Sequence, residues 1–379
     1  MRRLAWFSLL GLVACNTAPV GFDQLRGRVP AARDTIMAPD SIASYARYVP
    51  LSPADRLFLG SDGYYVARAL IRFPLPDTLG LDTVSSVQLV LHPVDSTRMS
   101  FVCRPCSTAW DSAFATWLMA DDAIHWYSPG GDFWPDSIAG SVLTGDTLKV
   151  DLRYAELDST VRAAIRQQGI LLFPRDTGLA AIWSVGASAS LKPSIRVNYR
   201  SGKNPQTFTA TVATTLIDTL PNTIRSGDLL IGPGVALRTW MRFRVDSIPE
   251  AATIARAELE FRPDVEYRRS DSLPIAAHGL VQSFADKGAY ALYDPLAAAS
   301  LYYVPASDTD SIIHMDIRGL VQSWTSNRDS TGRDTANYGL LIMAEPEWSE
   351  PFRIRVPRTG PGAPRLTIEY VMPPEDRFQ

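Results

Sequence analysis

The sequence predicts an all-β protein made of two tandem domains of one fold, each a sandwich or barrel of short strands. Three observations carry this. One long passage occurs twice at a near-constant offset. Apolar and polar residues alternate over short runs, as in half-buried strands. Gly, Pro, Asp, Asn and Ser interrupt the chain about every ten residues, the spacing of strands joined by turns.

The duplicated passage is Phe58 to Pro93 and again Leu230 to Pro263. Each copy opens on a Gly (Gly60, Gly232), continues through Arg-x-x-x-Arg-Phe (Arg68, Arg72, Phe73; Arg238, Arg242, Phe243) and ends in an alternating stretch before a Pro. The match returns at Leu148–Arg153 and Ile313–Arg318, at Gly169–Phe173 and Gly339–Met343, and at Pro193–Tyr199 and Pro364–Tyr370. Matched residues stand between 165 and 172 positions apart throughout, so the duplication covers a whole fold rather than one motif.

The elements follow in order. Met1-Arg-Arg is a short basic start, and the apolar run Leu4 to Ala14 has eleven residues. A bilayer-spanning helix needs about 20, so residues 1–14 read as a removable signal peptide. Leu12-Val-Ala-Cys15 resembles a bacterial lipobox, which places lipid on Cys15 after cleavage. An ordinary secretory signal is the alternative. Asn16, where Asp would resemble a retention signal for the inner membrane, points to the outer membrane. Residues 15–34 form the lipidated tether, 35–200 the first domain, 201–205 the linker, 206–371 the second domain and 372–379 a tail.

Within the domains, Ser86–Leu91, Ala257–Phe261, Ser194–Tyr199 and Arg365–Tyr370 alternate as strands. Tyr154 to Gln168 reads as a helix stopped by Gly169, with Leu157, Val161, Ala164 and Ile165 at helical spacing. Gly319–Trp324 is the shorter helical turn expected at the matching place. The 37 basic and 40 acidic side chains give a net charge of −3, which offers no basic field for nucleic acid. Nothing after Cys15 is long and apolar enough to span a membrane, leaving the lipid as the expected anchor.

The ordered set of motifs resembles the DNRLRE-type domains, β-sandwiches akin to a family of carbohydrate-binding modules and to disaggregatase-related proteins. Ile317, Leu320, Val321, Gln322, Ser323, Trp324, Asn337, Tyr338 and Gly339 carry the resemblance in the second copy. Trp110, Asp111, Thr116, Trp117 and Gly169 to Phe173 carry it in the first. The first copy departs where Tyr154 to Gln168 replaces Val-Gln-Ser-Trp. The second departs at the double-Trp segment, where Phe284, Asp286 and Tyr290 stand. The resemblance implies jelly-roll-like modules in an exported protein, some of them glycan-binding, and it makes Trp110 and Trp117 framework residues.

Candidate chemistry is sparse. Arg68 with Arg72, and Arg238 with Arg242, are an even number apart and share a strand face. Their guanidinium forks suit an anionic ligand such as an acidic sugar; a solvated face or an ion pair with a neighbouring Asp is the alternative. Trp126, Tyr127, Phe133 and Trp134 fall in a Gly/Pro-rich loop and form a candidate sugar-stacking platform, with packing against the sandwich or the other domain as the alternative. Tyr290, Tyr293, Tyr302 and Tyr303 stand in the corresponding region of the second copy. Cys103-Arg-Pro-Cys106 is expected to close a local disulfide in an oxidising envelope; it has no thioredoxin-like setting and no second pair for zinc. The four histidines, His92, His125, His278 and His314, are scattered without metal spacing, and no Gly-x-Ser-x-Gly elbow occurs. Asp121, Asp122, Asp132 and Asp136 could serve as acid and base or hold calcium, or could simply be solvated. The expected function is non-catalytic recognition of a polysaccharide, or adhesion, by a lipid-anchored envelope protein without metal or cofactor, structural calcium apart. A structural or assembly partner of other envelope proteins is the alternative, and a polysaccharide hydrolase or lyase the third.

Overall fold

The computed structural model describes residues 32–77, 79, 84–200, 203–220, 223–225, 227–305, 312–327 and 336–373. The signal peptide and Cys15 lie outside the described residues. The protein is all-β, antiparallel and made of several distinct sheets. The first half runs β1 (Arg33–Met37), β2 (Ser41–Tyr48), β3 (Arg56–Ser61), β4 (Tyr65–Arg72), β5 (Val84–Leu91), β6 (Met99–Pro105), β7 (Ala139–Leu143), β8 (Leu148–Leu152), the helix Ser159–Gln168, β9 (Ile170–Pro174), β10 (Gly178–Trp183) and β11 (Ser194–Tyr199). The second runs β12 (Gln206–Thr209), β13 (Val212–Thr219), β14 (Leu230–Ile231), β15 (Val235–Arg242), β16 (Thr253–Phe261), β17 (Asp264–Arg268), β18 (Leu273–Gly279), β19 (Ala299–Tyr303), β20 (Ile313–Asp316), the helix Arg318–Ser326, β21 (Leu340–Ala344), β22 (Phe352–Arg355) and β23 (Arg365–Val371).

Alternation builds two cores. In β5 and β11 the buried residues Val87, Leu89, Leu91, Ile195 and Val197 meet Leu57, Ile71, Phe101 and Leu172 from the facing sheet. In β16 and β23, Ala257, Leu259, Phe261, Leu366 and Ile368 meet Met241, Phe243, Ile275 and Ile342 in the same way. Burying a side chain of this size contributes roughly 1.5–3 kcal/mol, which fixes strand register, because a one-residue slip would turn the whole set outward.

The first two strands of each half are exchanged. β1 and β2 do not join the sheets of the residues that follow them. β1 pairs with β23, Arg33 opposite Tyr370, and β2 pairs along its full length with β15, Ser41 opposite Arg242 and Tyr48 opposite Val235. Reciprocally, β12 pairs with β11 and β13 with β4, Val212 opposite Arg72 and Thr219 opposite Tyr65. The boundaries read from the sequence assign 35–48 to the first half; the strand ladders seat those residues on the second. The arms meet where the Tyr48 hydroxyl donates to Asp218 Oδ1 at 2.7 Å. The halves also touch through Tyr65, whose hydroxyl donates to the Phe352 carbonyl at 3.0 Å, and through Arg269, 2.5 Å from Asp95. Arg353, fully buried beside Tyr64 and Tyr65, donates to the carbonyls of Thr223 and Tyr64.

The expected first helix is split. Tyr154–Glu156 is one 3₁₀ turn, and the α-helix begins at Ser159 after Asp158, whose side chain caps it by accepting from Val161 N at 2.9 Å. The second helix is longer than expected at nine residues, Arg318–Ser326. It buries Val321 and Trp324, and Gln322 stitches it to the sheet by accepting from Ile254 N and donating to Ala252 O. The matched glycines Gly169 and Gly339 have φ of 86° and 85°. A Cβ there would lie 2.1 Å from Ile71 O or 2.4 Å from Met241 O, so β9 and β21 start where only glycine fits.

Candidate functional site

β15 is buried on both faces, and β4 is buried on one and half-covered on the other. One face lines a core, and the other is roofed by a long connection: residues 106–137 in the first half and 280–298 in the second. Under the first roof lie Leu70, Leu171 and Leu216 with Trp110, Trp117 and Trp126. Trp110 Nε1 donates to Gln168 O at 2.7 Å and Trp126 Nε1 to Thr116 O at 2.8 Å. Trp126 is therefore an anchor of the roof and no platform, because its ring is buried and its N–H is used. Phe133 and Trp134 are half-buried, Phe133 set edge-on to Phe173 at 5.5 Å. Tyr127 alone of that cluster projects freely, 96% exposed.

The loop carrying Tyr127 is braced by Asp132. Its carboxylate accepts from Thr108 Oγ1 at 2.8 Å, from Tyr127 N at 3.0 Å and from Ser128 N at 2.9 Å. Gly130, at φ 88°, turns the chain so that its carbonyl accepts from Arg68 Nη1 at 2.8 Å. A groove of about 350 Å³ opens here, bounded by Ser107, Thr108, Tyr127, Ser128, Asp132 and Phe133. Of the other acids, Asp121 accepts from the next backbone N–H at 2.7 Å, and Asp122 and Asp136 join no such cluster around the groove.

The four matched arginines part company. Arg238 grips Glu347 with two bonds of 2.7 Å, Nε to Oε1 and Nη2 to Oε2, its side chain 4% exposed. Burial opposes its charge, but the Glu347 hydrogen bonds and charge outweigh that and hold its pKa above the ordinary arginine value. Arg242 pairs with Asp40 at 2.5 Å, and that bond holds the Asp40 carboxyl below its usual range. Both are ion pairs within the chain, which corrects the expectation that they contact an external anion. Arg72 lies over Trp110 at 5.0 Å and donates to its carbonyl. Arg68 has no carboxylate partner among the described residues. It lies 4.1 Å from the centre of Phe173 and 4.9 Å from that of Trp117. Burial pushes its pKa down to about 10, and the charge of Arg104 adds to the shift. Arg104 itself stands over Phe133 at 4.6 Å and Phe173 at 5.6 Å. The sequence reading missed Arg104 because it sits between two cysteines; its place one residue after core-facing Cys103 on a strand was the available signal.

Those cysteines do not form the expected disulfide. Both are free and buried. Three residues apart on an extended chain, they face opposite ways: Cys103 enters the first core and Cys106 the roof cluster. Burial pushes both thiols up to about 12.

In the second half Trp240 stacks on Phe284 at 4.5 Å, Tyr293 is half-buried edge-on to His278 at 5.1 Å, and Tyr290 and Tyr302 are 79% and 75% exposed. Tyr303 is buried. His278 is held between Asp294 O at 2.8 Å and Glu345 Oε2 at 3.1 Å. Among the described residues, Glu258, Glu260 and His314 form one group with metal-ligand atoms within 4.8 Å of one another. Its members come from facing strands, Glu260 opposite His314, so linear spacing could not disclose it. Arg256 already binds Glu258 there, which makes the group part of an outward-facing charge network. No described helix is long and apolar enough to cross a membrane. No protein-family model matches this chain, and no curated protein matches it in sequence.

Proposed function

We propose that this chain is an exported, lipid-anchored envelope protein whose halves are jelly-roll-like β-sandwich modules of the DNRLRE type, and that it recognises a polysaccharide without processing it. The observation that carries the reading is Tyr127. Its ring is 96% exposed, yet its backbone is held by Asp132 and its neighbour Trp126 is locked in the roof. A displayed aromatic ring on a braced loop, beside a groove edged by the hydroxyls of Ser107, Thr108 and Ser128, suits the apolar face and polar rim of a pyranose. The engagement of Asp132 in three hydrogen bonds supports binding rather than acid–base chemistry.

Affinity electrophoresis of the mature chain through gels containing neutral and acidic polysaccharides tests this. Retardation by one polymer, lost in Tyr127→Ala, is expected; unaltered mobility in every gel would sink it. The anchor has a separate check: Cys15→Ser moves the protein to the soluble fraction, and retention with membranes would contradict lipidation. A second reading, assembly with another envelope protein, is favoured by Tyr290, Leu296 and Tyr302, each at least 75% exposed on the second half. Co-purification of one envelope protein without any glycan retardation would select it.

A further inference from the structure

Comparison of the two halves identifies an unanswered charge. At matched positions the second half has Arg238 and His278, and the first has Arg68 and Arg104. The connection after β21 supplies a carboxylate to each of the former: Glu347 to Arg238 at 2.7 Å, and Glu345 to His278 at 3.1 Å. The connection after β9 reads Arg175-Asp176-Thr177. Asp176 accepts from Ser100 N at 3.0 Å, and no carboxylate reaches Arg68 or Arg104 among the described residues. Two half-buried guanidiniums thus flank Phe173, met by aromatic faces and, for Arg68, by the Gly130 carbonyl, but by no anion among the described residues. The Nε of each is buried without a hydrogen-bond partner. Cation–π contact offsets part of the lost hydration, but a partly buried cation without an anion is costly, and a neighbouring like charge adds to the cost.

We infer that the Arg68–Arg104 pair is a receptor for a carboxylate, so that the polysaccharide recognised by the first half is a uronate-containing one; this rests on the glycan-binding reading above. Glu347 shows within the same molecule which anion that position accommodates: a planar carboxylate gripped by a guanidinium fork. The arginines adjoin the Tyr127 groove through Phe133, which lines the groove on one side and underlies Arg104 on the other. Asp132, the acid on the groove wall, is held by three bonds and, as a carboxylate, repels a second one. A sugar ring against Tyr127 therefore directs its acid away from Asp132 and toward Arg104. The second half, with its cation already answered by Glu347, does not share the specificity.

The test is calorimetric titration of the mature chain with trigalacturonate and with its methyl ester, which removes the charge and keeps the ring. The acid is expected to bind at least tenfold more tightly than the ester. That preference should shrink on raising the salt concentration and vanish in Arg104→Gln and Arg68→Gln. Equal affinity for acid and ester in the unmodified chain overturns the carboxylate assignment and leaves glycan binding standing. If neither trisaccharide binds and no polymer is retarded, both readings fall. A glutamate trimer binding as tightly as trigalacturonate overturns the sugar part of the inference. The comparison of acid with ester needs no variant, so a folding defect in either arginine variant does not blunt it.

Discussion

Replacing Glu347 by Leu removes the carboxylate that pairs with Arg238 and leaves the guanidinium in place, 4% exposed, with two bonds of 2.7 Å broken. Each charge-assisted bond contributes about 1.5–3 kcal/mol. Breaking one side of a buried pair typically costs about 3–5 kcal/mol, because the remaining charge is stranded. The two routes agree, so Glu347→Leu should lower unfolding stability by about 3–5 kcal/mol. Adding Arg238→Met removes the stranded charge and should restore most of the loss, since apolar side chains of similar volume replace a buried pair at little net cost. Arg68→Met, at the matched position without an anion, should change stability by no more than about 1 kcal/mol, because the loss of its bonds to the Gly130 and Pro129 carbonyls is offset by relief of its burial and of the Arg104 repulsion. Urea denaturation with linear extrapolation measures all three. If Glu347→Leu costs less than about 1 kcal/mol, or Arg68→Met costs as much as Glu347→Leu, the contrast between the halves is mistaken.

Two further predictions concern the whole chain. Because each half is completed by strands of the other, calorimetry should show one unfolding transition, and a cut between residues 200 and 205 should leave the pieces bound; two separable transitions would refute the exchange. The thiols of Cys103 and Cys106 should resist alkylation at pH 8 until the chain unfolds, since burial raises both pKa values to about 12. Their raised values also carry a pH dependence: the stability they contribute is intact below the ordinary thiol range and declines as pH rises toward about 12, where the unfolded chain has already released protons that the native one keeps. Rapid native alkylation would show that the region opens.

The strands were legible wherever one face meets water. Ile195 and Val197, or Leu259 and Phe261, announce themselves by alternation. Val235 to Met241 do not, because a roof buries the second face as well and the period of two disappears. The partners of β2 and β13 were hidden for another reason. Ser41–Tyr48 and Val212–Thr219 each read as a strand next to its own half, and nothing in either run of residues names the distant ladder that it completes. The arginine pairs could be found from their spacing, while the carboxylates that answer two of them could not: Glu347 lies 109 residues from Arg238 and Asp40 lies 202 from Arg242. Trp126 and Tyr127 are neighbours of similar character with opposite fates, separated by the single hydrogen bond from Trp126 Nε1 to Thr116 O.

The exchanged arms also decide how the molecule carries load. A pull on the N-terminus enters β1 and passes into β23 and then, through β2, into β15, both of them strands of the second half. The second half bears the tension first, and the first half is strained only after those ladders part. If Cys15 carries the proposed lipid, the ladders next to the tether are those of β23 and β15, and the Tyr127 face belongs to the other half.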